Sequence, residues 1–153
     1  MANFDQGFGC VDMSSTLPNP ANPKLKLEFV DSWVSNPSVT LQMTGDKCRF
    51  VISVDSGLPL RICLAYTDVP GRALQNNLNL LVQTPSNAKL TGNFQLRMGL
   101  LPMDTDNNVE VVRIEAPPKG DYLIQVTAAN LLKPPQAFAL VVTGDLTSSL
   151  APF

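Results

Sequence analysis

The stretch EAPPKGDYLIQVTAANLLKPPQAFALVVTG, residues 115–144, decides the fold. It holds two apolar runs, and a proline-containing turn comes before each of them. In the first run Tyr122, Ile124 and Val126 alternate with other residues, which is the period of a strand with one buried face. The second run, residues 137–144, repeats this pattern. The stretch therefore predicts two β-strands joined by a rigid turn.

The same alternation recurs along the chain from residue 24 onward. KLKLEFV, residues 24–30, has Leu25, Leu27 and Phe29 on one face and charged residues on the other. Further strands are predicted at 48–55, 60–68, 78–84 and 109–116, with weaker candidates at 39–43 and 89–94. Gly and Pro turns separate the runs, and no long window has a helical period. The pattern predicts an all-β protein, an antiparallel β-sandwich of jelly-roll type with about eight or nine strands.

The length of 153 residues fits one domain with short appended ends. Residues 1–23 form a distinct connector, because three prolines between residues 18 and 23 prevent a helix from continuing. We predict the sandwich at 24–146 and a flexible end at 147–153. Apolar residues make up 44% of the chain and charged residues 16%, so the chain can bury a core.

Charge and hydropathy exclude two classes of partner. The net charge is -2 with no long run of Lys or Arg, so nucleic acid is not an expected partner. No apolar run approaches the roughly 20 residues that cross a bilayer, and the first ten residues lack the features of a signal peptide. We expect no membrane partner and a chain that is soluble as given, with any targeting signal outside it.

Histidine is absent from the chain. Nucleophile systems of the Ser-His-Asp and Cys-His kinds require it, and it is the usual acid or base near pH 7. Ser-Lys and carboxylate-pair mechanisms stay formally open, but no pattern in the sequence points to either. We therefore predict that this chain is not itself an enzyme and has no catalytic residues.

The three cysteines match no zinc-binding spacing and cannot all pair within one chain. Cys48 is in register with Phe50, Ile52 and Val54, which favours a buried free thiol over a disulfide bridge. The cysteines leave the redox compartment undecided.

Five segments occur in the order and spacing of a known domain. They are GFGCVDMSSTL, GLPLRICLAYTDVPG, LQNNLNLLV, DNNVEVVRIEAP and KGDYLIQVTAANLLKPPQAFALVVTGDL. With them, residues 4–146 resemble the C-terminal β-sandwich domain of certain subtilisin-like serine proteases. The resemblance implies that residues 4–17 are the tail of a protease domain. The catalytic Asp, His and Ser motifs of that protease domain are not in this chain.

The resemblance also implies a function. The chain would be the non-catalytic C-terminal domain of a secreted or extracellular serine endopeptidase, stabilising the protease domain or modulating access of protein substrates. Its partners would be the protease domain of the same parent chain and protein substrates. The alternative is a free-standing β-sandwich module that binds carbohydrate or protein through aromatic side chains. The aromatic candidates are Trp33, Tyr66, Phe94 and Tyr122, although most such rings are needed in a core.

Related proteases bind calcium, so calcium is the cofactor that the resemblance implies. Calcium takes about six to eight oxygen ligands, and MDTDNNVE, residues 103–110, alternates Asp104, Asp106, Asn108 and Glu110. We assign the candidate calcium ligands as Asp68, Asp106, Asn108 and Glu110. Ordinary turn capping and strand-edge solvation remain the alternative for these side chains.

Positions 77 and 79 depart from the resemblance. Relatives often carry aspartate at both, whereas this chain carries asparagine. A neutral amide oxygen binds calcium more weakly than a carboxylate and serves equally well in a turn. We therefore expect Asn77 and Asn79 to be hydrogen-bonding residues first and remnants of a calcium site second.

Overall fold

The structure is a computed structural model, and it describes residues 10, 13–14, 16–32, 39–93 and 103–153. Nine strands lie among these residues, and no α-helix does. A membrane-spanning helix is accordingly not found in the described part of the chain. The strands are β1 (Lys26–Asp31), β2 (Lys47–Val54), β3 (Leu60–Ala65), β4 (Asn76–Gln83), β5 (Lys89–Thr91), β6 (Val109–Ile114), β7 (Gly120–Leu131), β8 (Ala139–Gly144) and β9 (Ala151–Pro152).

The strands form two antiparallel sheets, which confirms the predicted β-sandwich. One sheet has the order β1-β8-β3-β6 and the other β5-β4-β7-β2-β9. Strand β1 pairs with β8, β2 with β7, β3 with β6 and β4 with β5. Each pair thus encloses the next pair along the chain, so strands β1 to β8 form one long hairpin that is folded over on itself. This is the topology of a jelly roll.

The core lies between the two sheets and is built by alternation. In β7 Tyr122, Ile124 and Val126 are fully buried, and they pair across the sheet with Ile52, Phe50 and Cys48 of β2. The rings of Phe50 and Phe138 meet edge to face with centroids 6.5 Å apart. Because every second side chain of each long strand points inward, the predicted period of two accounts for the core.

Two boundaries differ from the prediction. Strand β9 pairs with β2 through Ala151 and Pro152, and the Phe153 N–H donates to the Arg49 carbonyl. The sandwich therefore continues past residue 146 into the segment expected to be a flexible end. The weak candidate at 39–43 contributes an isolated bridge between Leu41 and Gln136 rather than a strand. The tail predicted at 4–17 lies largely outside the described residues.

Strand β1 inverts its expected orientation. Phe29 lies opposite Val141, whereas the neighbouring Val30 lies opposite the fully buried Leu140. Opposite residues of an antiparallel pair point to the same face. Of the apolar row expected to be buried, Leu25 lies just before the strand and is buried, with 4% of its surface exposed. Leu27 and Phe29 instead point away from the core, and 61% of the Phe29 surface is exposed.

The cysteines are all free thiols. Cys48 packs against the core but is only half-buried, so the preference for a free thiol over a bridge is confirmed and full burial is not. Burial, with a smaller contribution from the charge of Asp46, raises the pKa of Cys48 to about 11. Cys63 is also half-buried, and burial raises its pKa.

Candidate functional site at the edge of β4

The first half of strand β4 has no neighbouring strand on one side, because β5 pairs only with residues 81–83. Side chains from strand β6 and from the loop that follows β3 bind the N–H groups there instead. The pairs are the Asn76 N–H with Asp68 Oδ1 at 2.9 Å, the Leu78 N–H with Tyr66 Oη at 3.2 Å and the Leu80 N–H with Glu110 Oε2 at 2.8 Å. Three side chains thus replace the missing strand, since a buried unpaired N–H is costly.

Glu110 is the most buried acidic residue of this edge, with 1% of its surface exposed. Burial raises the pKa of Glu110 to about 8, the nearby charge of Asp104 adds to the rise, and the hydrogen bond from Leu80 opposes it. Its second oxygen, Oε1, has no hydrogen-bond partner among the described residues. Glu110 therefore binds the edge of β4 through one oxygen and leaves the other buried without a partner among the described residues.

Tyr66 lies at the centre of the edge and is 6% exposed. Burial raises the pKa of Tyr66 to about 12, and the charges of Glu110, Asp68 and Asp104 add to the rise against the hydrogen bond from Leu78. Three carboxylates therefore surround one phenol. Across the described residues, however, no three Asp, Glu or Cys side chains are grouped so that they could hold a metal ion.

Asp104 belongs to this region although the predicted ligand set leaves it out. Its Oδ1 accepts the N–H groups of Asp106 and Asn107, and its Oδ2 accepts the side-chain amides of Asn93 and Asn107. Burial alone would raise the pKa of Asp104, but these four hydrogen bonds outweigh it and hold that pKa below its usual value. Asp104 thus caps the turn before β6.

The four predicted ligands are not equivalent in the structure. Asp68 uses both oxygens to accept N–H groups, with Oδ2 binding Gln75 at 2.7 Å. Asp106 is exposed and accepts from the Thr105 hydroxyl. Asn108 donates its side-chain amide to the Tyr66 carbonyl. Of the four, Glu110 presents a buried oxygen without a partner among the described residues.

Asn77 and Asn79 also differ from expectation. Their side-chain oxygens are buried and accept no hydrogen bond from any residue that the structure describes. Both belong to β4, and Asn79 directly precedes Leu80, whose N–H is bound by Glu110. Asn79 alternates with the core residues Leu78 and Leu80, so its side chain points to the outer face of the sheet, on the opposite side from Glu110.

Amide and carboxylate oxygens are ligands that calcium takes in proteins. These side chains, however, do not all face one point, because Asn79 points outward from its sheet and Glu110 points between the sheets. Of the residues predicted to bind calcium, Glu110 is the one that could offer an oxygen without a partner among the described residues.

The hydrogen-bonding residue of the NNLN segment is Asn76, which is not among the predicted site residues. Its side-chain amide donates to the Lys133 carbonyl at 2.8 Å and to Gln136 Oε1 at 2.7 Å, and its oxygen accepts the Lys133 N–H. Gln136 also binds the carbonyl of Thr67. The buried pair therefore joins β4 to the Pro134-Pro135 turn, whose peptide bond is cis.

An open groove of about 570 Å³ lies next to this network, lined by residues that include Tyr66, Asn76, Gln136 and Phe138. Carbohydrate binding by aromatic stacking needs an exposed ring face. Tyr66 is nearly covered and Tyr122 is fully buried, so neither offers one. Trp33 and Phe94, the other aromatic candidates, lie outside the described residues.

No model of a known protein family matches the chain. Among curated proteins, it is similar to the serine protease/ABC transporter B family protein tagA of Dictyostelium discoideum. The alignment is 151 positions long, is 27% identical and covers 91% of this chain. The matched part is 8% of the length of that relative, so this chain is similar to a small segment of a much longer protein.

Proposed function

We propose that this chain is the non-catalytic C-terminal β-sandwich domain of a subtilisin-like serine endopeptidase. In this role it stabilises the protease domain or modulates the access of protein substrates, and hydrolysis belongs to the protease domain. The single observation that carries the proposal is the similarity of nearly the whole chain to one segment of a protein named as a serine protease. We further propose an extracellular location for the parent protein.

The jelly-roll fold and the composition support the proposal. A compact sandwich with buried, hydrogen-bonded edges is suited to a stable accessory domain. The absence of histidine from the chain excludes the triad chemistry of a subtilisin within it. A protease function of the parent would then require residues encoded elsewhere.

The parent reading frame upstream of residue 4 is the direct test. We expect it to encode the Asp, His and Ser motifs of a subtilisin, and the purified chain alone to leave casein uncleaved. An upstream frame without those motifs would refute the proposal. Casein cleavage by the pure chain, sensitive to a serine-directed inhibitor, would also refute it.

We also propose that calcium binds weakly beside the β4 edge with Glu110 as a ligand, because its Oε1 has no partner among the described residues. A ligand that binds only the folded state stabilises it by RT ln(1 + [L]/Kd), so millimolar calcium should raise the melting temperature relative to chelator. Glu110→Gln removes the carboxylate and should abolish this rise, whereas Glu115→Gln, at an exposed acid, should leave it unchanged. Equal melting temperatures of the wild type with and without calcium would contradict a site here.

A further inference from the structure

The loop between β3 and β4 has an exposed tip. Residues 69–73, VPGRA, are all exposed to solvent, and we call them the VPGRA tip. Within the described part of the chain, no backbone group of residues 70–74 bonds to another backbone group. Arg72, inside the tip, likewise forms no ion pair with any residue that the structure describes. The tip therefore presents a basic side chain on a backbone that is not paired with a strand.

The two ends of the VPGRA tip are fixed by one side chain. Asp68 Oδ1 accepts the N–H groups of Val69 and Asn76, each at 2.9 Å, and Asp68 Oδ2 accepts the N–H of Gln75 at 2.7 Å. Asn76, the first residue of β4, is buried with 1% of its surface exposed. The ends are therefore anchored to the sandwich by contacts that do not depend on the peptide bonds inside the tip.

Most basic residues of the described chain lie in strands. Sheet pairing holds the backbone there, so a protease cannot draw such a segment into its active site unless the sheet opens locally. These residues are Lys26, Lys47, Arg49, Arg61, Lys89 and Arg113. The peptide bonds beside them are therefore poor sites for cleavage.

The basic residues outside the strands, apart from Arg72, are also restrained. Lys24 directly precedes Leu25, which is buried with 4% of its surface exposed. Lys119 is held in an ion pair and directly precedes β7. Lys133 has its N–H and its carbonyl both bonded to a side chain of β4. Among the described basic residues, Arg72 thus best combines an exposed side chain with an unpaired backbone.

We propose that the Arg72–Ala73 peptide bond is a site of limited proteolysis. Exposed loop tips are preferred sites of nicking, and an endopeptidase with an acidic specificity pocket takes arginine at the position before the cut. In the hydrolysis the carbon–nitrogen bond breaks, and water supplies a hydroxyl group to the Arg72 carbonyl carbon and a proton to the Ala73 nitrogen. No group is oxidised or reduced. The inference goes beyond the proposed function and does not depend on it, because any endopeptidase of this specificity can make the cut.

The nesting of the strands determines what the cut produces. Strands β1, β2 and β3 precede the tip, and in the described sheets none of these three pairs with another of the three. Instead β1 pairs with β8, β2 with β7 and β9, and β3 with β6 and β8. The two pieces therefore interleave in both sheets, and their separation requires all of these pairings to break. The product is a nicked, two-chain sandwich rather than two free pieces.

Limited digestion of the purified chain by trypsin, followed by mass spectrometry of the first products, tests the site. Arg97 lies outside the described residues, so every variant carries Arg97→Gln and the first cut is assigned among described residues. We expect that cut after Arg72, and Arg72→Gln should lengthen the lifetime of the intact chain at least about tenfold. Arg72→Lys should stay cleavable, because the same acidic pocket takes lysine. Lys119→Gln, at an exposed turn, is the matched control and should be cut after Arg72 at an unchanged rate.

Size-exclusion chromatography in native buffer tests the nicked product. We expect the digested protein to elute with the intact chain, and its two pieces to separate only in denaturant. Its melting temperature should also rise with protein concentration, because unfolding now releases two pieces.

The following results would overturn the inference. A chain that resists trypsin, a first cut after another basic residue, or an equal digestion rate in Arg72→Gln would reject Arg72 as the site. Pieces that elute separately in native buffer would reject the two-chain sandwich. An upstream frame without protease motifs refutes the proposed function alone and leaves each of these results unaffected.

Discussion

The edge of β4 and the outer face of β1 break the usual rule of burial in opposite directions. At the edge, polar groups such as Glu110 and Asn76 are buried, and on the outer face of β1 an apolar ring, Phe29, is 61% exposed. The edge is held by hydrogen bonds within this chain, so substitutions there should change the stability of the isolated protein. Removal of the exposed ring should change that stability little.

The largest expected effect comes from removing Asn76. Asn76→Ala leaves the Lys133 N–H and Gln136 Oε1 buried without partners, so the free energy of unfolding should fall by about 2–4 kcal/mol. Asn77→Ala, at the adjacent position whose oxygen has no partner among the described residues, is the matched control and should cost less than about 1 kcal/mol. Urea denaturation in chelator measures both. Equal losses would show that the Asn76 network does not stabilise the edge.

The second effect is a pH dependence that Glu110 produces. Its pKa is about 8 in the folded protein against an ordinary 4.5, so the folded state holds the proton more tightly. The contribution of the protonated Glu110 to the free energy of unfolding is fully present below pH 4.5 and is lost as the pH rises through 8. The loss should be about 1–3 kcal/mol and absent in Glu110→Gln, which stays neutral.

Urea denaturation in chelator at several pH values checks this prediction, since bound calcium would favour the charged carboxylate. Glu115→Gln, at an exposed acid, is the control and should keep the wild-type pH dependence. The same decline in Glu110→Gln as in the wild type would assign the titration to another group.

The smallest effect on stability is expected on the outer face of β1. Phe29→Asp should change the free energy of unfolding of the isolated chain by less than about 0.5 kcal/mol, because the ring is mostly exposed. Phe50→Ala, in the core, should instead cost about 3–5 kcal/mol. Thermal and urea denaturation measure both. A core-like cost for Phe29→Asp would show that the exposed ring stabilises the chain as a core residue does.

Most of the fold could be predicted from the sequence, because the alternation of inward and outward side chains is a local property of each strand. The period of two in runs such as residues 121–129 and 137–144 is imposed by strand geometry, and Gly and Pro mark the turns. Which face of β1 is buried could not be predicted. Alternation identifies two faces but not which one meets the other sheet, and the register with β8 decides it.

The candidate site is harder to predict from the sequence than the fold. The spacing of residues 104–110 singles out Glu110, but its contact with Leu80 joins residues 30 positions apart and depends on how the two sheets stack. Asn76 and Gln136 are 60 positions apart, and no local pattern links them. The run of asparagines entering β4 is the usable signal, but it does not indicate which of them makes the hydrogen bonds.

The nesting of the strand pairs has a consequence for how the molecule assembles. Residues 83 and 89 pair in the innermost hairpin, β4 with β5, whereas residues 26 and 144 pair in the outermost, β1 with β8. Closing a chain loop costs more entropy as the loop grows, so the order of pairing should run from the inner hairpin outward. Strand β1 is then the last to join and the first to open, and the surface that carries Phe29 is completed only when folding ends.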